Sequence, residues 1–200
     1  MASHAEPVEH HHGPPVANQS SRVDSRVLGM FLFIASEVML FGAVFTAYFF
    51  VRVVAGAAWP EPPFHLPVFV AGVNTAILVT SSFTIHWALQ SIKRDNRAGL
   101  QAGLVLTLAL GLVFLLTQVR EYSRVGFNPA DGAFGTIFYG LTGLHGAHVF
   151  VGLTLLTFAT IRAFRGHYSA AHHHGVEIPG IYWHFVDVMW IVVYVTIYVL

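Results

Sequence analysis

Chemistry in this 200-residue chain falls to imidazole and carboxylate, because it carries 13 histidines and 10 acidic residues but no cysteine. The lack of thiolates excludes disulfides, iron–sulfur clusters, thiolate haem ligands, cysteine-type zinc sites and blue copper. Three sets of residues have types and spacing that matter. Glu37, His184 and Asp187 interrupt long apolar stretches, where an ionisable side chain is expensive and has a proton-related or structural task. His145 and His148, three apart, share one helix face, and His86 and Trp87 end another apolar stretch. The loop RGHYSAAHHHGVEIPG gathers His167, His172, His173, His174 and Glu177.

A bis-histidine haem wants one histidine on each of two facing helices with room for the ring, which a pair on one helix does not provide. A di-metal carboxylate site wants repeated Glu-x-x-His pairs, which do not occur, and adjacent His173 and His174 impose no coordination geometry. No metal site is expected. The loop histidines titrate near neutrality, so with Glu177 they are candidates for a proton antenna, set against a plain solvated loop. An ionised carboxylate at the depth of Glu37 costs on the order of a few kcal/mol. That favours a neutral acid bonded to a neighbouring helix, in a structural or a proton-handling role.

The elements that position these groups follow from composition. Residues are 55% hydrophobic and 10% charged, where a soluble domain is about one quarter charged, so the chain is an integral membrane protein. Zero formal net charge gives no sign of a nucleic-acid partner. Spanning the hydrocarbon takes about 20 residues, and five stretches qualify, near 27–51, 67–90, 99–119, 134–163 and 179–200. The expected fold is an all-α bundle of five transmembrane helices in one domain, 27–200. It follows a mobile, His/Pro-rich cytoplasmic tail, 1–26, that does not resemble a cleaved signal peptide.

Arg22, Arg26, Lys93, Arg94, Arg97, Arg162 and Arg165 lie on the N-terminal side, against Arg52, Arg120 and Arg124 opposite. The excess of basic residues places the N-terminus in the cytoplasm and Leu200 near the outer face. In the last span, Trp183, His184, Asp187, Trp190, Ile191, Tyr194 and Tyr198 share about one third of the circumference. That face should be covered by protein, leaving Phe185, Val188, Val192, Val195 and Val199 to lipid, with Pro179 in the first turn. Small residues at Gly29, Ser36, Ala43 and Ala47 in span one, and at Gly140, Gly143 and Ala147 in span four, predict close helix packing. Asn128-Pro129 and Asp131-Gly132 predict a compact turn after span three.

Three stretches together resemble subunit III of the haem–copper terminal oxidases: Ser36-Glu37-Val38, Phe138–Gly152 (FYGLTGLHGAHVFVG) and Tyr182–Trp190 (YWHFVDVMW). Asn74–Ala88 and Leu116–Tyr122 are similar to further motifs of that family, and the likeness runs from Val27 to Leu200. The resemblance implies an accessory, non-catalytic subunit of an aa3-type cytochrome c oxidase in aerobic electron transport. Such a subunit has no redox centre and docks on subunit I, where haem and copper reside, with subunit II alongside. It stabilises the catalytic subunit, supports proton uptake and holds phospholipid; a larger respiratory supercomplex is a further partner to consider. The equivalent subunit of a quinol oxidase and the accessory protein of nitric oxide reductase are the alternatives.

By motif match, Glu37 stands for the family's intramembrane glutamate. His145 with His148, and His184 with Asp187, are structural or lipid-contacting, as are His86, Trp87, Trp183 and Trp190. Many members have seven spans; a five-span form implies a bacterial inner-membrane oxidase. Outside the family, His145, His148 and His184 would suit a b-type cytochrome, and Glu37 with Asp187 a proton channel or transporter. The latter lacks a repeat and a continuous polar stripe.

Overall fold

The computed structural model describes residues 24–55 and 66–200. Five helices build it: α1 (Ser25–Ala55), α2 (Val68–Lys93), α3 (Arg97–Tyr122), α4 (Gly132–Phe164) and α5 (His174–Tyr194). The chain closes with a π-helical turn, Val195–Val199. All five helices are long and apolar enough to cross a membrane. The expected tail up to residue 23, and residues 56–65 between α1 and α2, whose run Trp59-Pro-Glu-Pro-Pro-Phe64 reads as an extended connector, lie outside the described residues.

Local chemistry sets the helix limits. Asn96 caps α3 by accepting from Gly99 N at 2.9 Å, and Asp95 before it takes a left-handed conformation, φ 54°. The Asp95 carboxylate accepts from Ala170 N at 2.8 Å, tying the α2–α3 turn to the α4–α5 loop. The α3–α4 turn is compact: Phe127 is buried, and its carbonyl accepts from Tyr139 at 2.9 Å.

Pro179 is not in the first turn, because α5 starts five residues earlier, at His174. Proline has no N–H and leaves the carbonyl four residues back unbonded. Here that carbonyl is Gly175 O, and the Tyr168 hydroxyl donates to it at 3.3 Å. Burial pushes the Tyr168 phenol above its ordinary value, against a smaller opposing pull from Arg162, so at neutral pH it keeps the proton it donates.

Helices α2 to α5 form the packed bundle, and Trp183 joins them. Its ring, fully buried, lies in a slot between two glycines: a Cβ on Gly111 of α3 would sit 2.6 Å from the ring, and one on Gly152 of α4 2.8 Å. Its indole N–H donates to Ser81 Oγ of α2 at 2.8 Å. One α5 side chain therefore touches all three other helices of the bundle. The α2–α3 seam is equally close, since a Cβ on Gly103 would meet that of Ala88 at 2.7 Å.

Several packing expectations need correction. Gly140 and Gly143 have no neighbour within 4 Å of an added Cβ, and Ala147 is exposed. The buried face of α4 instead follows Phe134, Phe138, Leu141, His145, Val149, Gly152 and Leu156. Bulky side chains set its rotation, and of the glycines only Gly135 and Gly152 are buried there. In α1 the stripe of Gly29, Ser36, Ala43 and Ala47 is exposed. That helix packs through Phe41 and Tyr48, with Ile34 and Val44 beside them, because α4 and α5 offer it rings and not bare backbone. Phe41 meets His148 at 4.9 Å and Phe185 at 6.3 Å between ring centres. Phe185, expected to face lipid, is buried by that contact, while Ile191 of the expected covered face is 41% exposed. Val188, Val192, Val195 and Val199 are exposed.

Candidate functional site

The ionisable residues fall into three clusters, each on a seam between helices. The first joins α1 to α4. His148 Nδ1 lies 2.8 Å from Leu144 O, and its Nε2 lies 2.8 Å from Glu37 Oε2. A carbonyl can only accept, so Nδ1 carries a hydrogen and donates it. The contact between Nε2 and the carboxyl then needs one proton of its own, held by Glu37 as a neutral acid or by His148 as an imidazolium. Either form has no net charge, which is what a site between lipid-depth helices requires. Tyr182 of α5 closes the cluster by donating to His148 O at 3.3 Å.

The second cluster joins α2 to α5. Ser82 donates its hydroxyl hydrogen to Asp187 Oδ2 in a short bond and accepts from His184 Nδ1 at 3.1 Å. The order His184 to Ser82 to Asp187 follows from the single hydrogen on the serine. Asp187 is buried, and its other oxygen has no partner. His86, one turn along α2 from Ser82, is exposed, as is Trp87. One turn further along α5, Trp190 donates its indole N–H to Thr75 Oγ1 at 2.9 Å. Hydroxyls of α2 thus anchor Trp183, Asp187 and Trp190 in turn.

The third cluster sits at the Lys93 end of the bundle. His174 lies 3.0 Å from Glu177 and 3.6 Å from Asp24, and Glu177 lies 3.9 Å from Lys93. His173 donates to Ala170 O at 2.7 Å and stacks on His174. His167 and His172 are exposed. With His174, Tyr168, Arg26 and Arg162 they line a cavity of about 400 Å³.

The histidines are therefore not gathered round one centre. His145 is fully buried between Phe114 and Trp190, His148 is bound to Glu37, and His184 to Ser82. Among the described residues no three histidines or carboxylates are grouped to hold a metal ion. The sequence marks Thr75, Ser81 and Ser82 of span two as hydroxyls that bond to backbone or to neighbouring helices, but not the residues they meet. It gives no sign of the contacts made by Tyr48 of α1 and by Asp24 just before it. For the α2 hydroxyls the signal is their run along one helix, since small polar residues in membrane helices commonly bond across to a neighbour.

Fold and clusters together describe a membrane bundle whose ionisable groups hold helices to one another. Residues 16–200 match the family model of cytochrome c oxidase subunit III. The chain is 41% identical over 194 residues to cytochrome c oxidase subunit 3 of Thermostichus vulcanus, covering 96% of this chain and 92% of that one. It is 40% identical over 191 residues to the Synechocystis subunit, covering 95% of this chain and 78% of that one. With the Oryctolagus cuniculus subunit, identity is 38% over 193 residues, covering 94% and 72%. This chain belongs to the cytochrome c oxidase subunit III family. It is an accessory subunit of a haem–copper oxidase and part of the cytochrome c oxidase complex.

Proposed function

We propose that the chain is the non-catalytic third subunit of a bacterial aa3-type cytochrome c oxidase, docked on a subunit I that carries haem and copper, with subunit II beside it. It stabilises the catalytic subunit during turnover and supports proton uptake from the cytoplasmic side. The observation that carries this reading is the family match over 185 of 200 positions, 16–200. The seams agree with it, since Glu37, His148, His184 and Asp187 are bonded across helices within the chain. The proposed orientation puts the N-terminus and the His174 end of α5 in the cytoplasm, on the excess of arginine and lysine there.

The cavity at that end suits a phospholipid headgroup better than a proton antenna. Arg26 and Arg162 line it beside His167, His172 and His174, and two fixed positive charges favour an anion. Purifying the tagged chain in mild detergent tests the assignment. A co-purifying partner with the optical bands of a-type haem and stoichiometric copper is expected. A chain that runs alone, or that itself carries haem, overturns it.

A further inference from the structure

We infer that the bundle encloses ordered water near its Tyr122 end, held by Asn74 of α2, Gln118 of α3 and His145 of α4. These side chains are 2%, 3% and 0% exposed. Asn74 Nδ2, Gln118 Nε2 and both ring nitrogens of His145 have no hydrogen-bond partner in the protein. Buried polar atoms are almost always paired with protein or with ordered water, and lipid supplies neither.

A chain of neighbouring contacts runs between the three groups. His145 packs on Trp190 at 4.8 Å and on Phe114 at 5.8 Å between ring centres. Gln118 follows Phe114 by one turn of α3 and lies near the hydroxyls of Tyr122 and Tyr198. Trp190 in turn bonds Thr75, the residue after Asn74. The aromatic wall of Phe114 and Trp190 holds His145 in the interior.

Donor and acceptor counts select the occupant. The two amide nitrogens only donate, so they cannot satisfy each other, while a neutral imidazole offers one N–H and one lone pair. An anion would serve the amides and leave the imidazole lone pair facing it; a metal cation would meet amide N–H groups. Water accepts from an amide and from the imidazole N–H, and donates to the imidazole lone pair. Rotating either amide exchanges donor for acceptor, and water serves that arrangement too.

The test is a density map of the intact oxidase, with this chain in place, at a resolution that shows ordered water. The expected result is at least one solvent peak within about 3.2 Å of a His145 nitrogen and of the Asn74 or Gln118 amide. Direct bonds among the three side chains with no solvent peak, or a gap without density, would overturn the inference. The unaltered complex is used, so a folding defect cannot imitate either outcome.

Discussion

Helix α1 and the α2–α5 bundle are held by different physics. Of the most apolar stretch of α1, 6% is buried inside the protein, against 61% of that of α5. The bundle is joined by close approach at Gly103, Gly111 and Gly152. Helix α1 is joined by polar links along its length: Asp24, just before it, to His174, Glu37 to His148, Tyr48 to Thr196 O at 2.7 Å, and Arg52 to Leu200 O. Lipid is as apolar as leucine, so burying hydrocarbon does not drive either association. Interlocking surfaces supply van der Waals contact in the bundle, whereas α1 depends on aromatic knobs and a few polar links. A helix so attached has most of its surface free for lipid or for a neighbouring subunit.

The largest effect should come from the Trp183 slot. Gly111→Leu puts a side chain where a Cβ alone already lies 2.6 Å from a fully buried ring. Neither the indole nor the α4 backbone behind it can yield cheaply. Overpacking costs about 1–3 kcal/mol and often more, and the chain should fail to accumulate in the oxidase. Normal yield with an unchanged thermal midpoint would mean that the bundle tolerates separation and that its contrast with α1 is false.

Next is the α1 seam, where two substitutions separate the forms of the shared proton. Glu37→Leu leaves the largely covered His148 Nε2 without a partner, a cost of about 1–3 kcal/mol, and should loosen this subunit from the complex on mild heating. Glu37→Gln retains an N–H that can replace a neutral acid as donor to His148 Nε2, but it cannot balance an imidazolium. Retention of the Gln variant at the native level identifies a neutral pair. Loss equal to that of the Leu variant identifies an ion pair. Tyr48→Phe removes one interhelical bond, for which membrane proteins average about 0.6 kcal/mol. Its effect on retention should be measurable only in combination with a Glu37 variant.

What could be read in the sequence depended on whether a residue's role was set within its own helix. The aromatic face of α5 was legible because Trp183, Asp187 and Trp190 recur at helical spacing, and all three are buried. The five apolar stretches were legible for the same reason. The partners across each seam were not, since nothing local to Ser82 says that it meets His184 and Asp187. Glycines were misread for a different reason. Gly99, Gly103, Thr107 and Gly111 repeat every four residues along α3, the small-residue pattern that does mark a close seam. The glycines of α4 drew attention by number instead, and number does not fix which face of a helix turns inward. Nor did spacing settle the case of α1, whose small-residue stripe is regular and exposed.

That misreading gives the smallest and most discriminating prediction. Gly143 has no atom within 4 Å of an added Cβ, so Gly143→Leu should leave the bundle itself intact, with a stability change within about 0.5 kcal/mol. Exchanging glycine for a better helix former even works in its favour. The open glycines of α4 and the exposed stripe of α1 would then share one property, small side chains on surfaces that this chain does not use. If Gly143→Leu keeps the thermal midpoint of the detergent-solubilised chain but loses it from the oxidase, that face is where another subunit approaches closely. If both survive, the face meets lipid. If the chain itself fails to fold, close packing in this bundle extends beyond the Trp183 slot and α1 is less distinct from it than its contacts indicate.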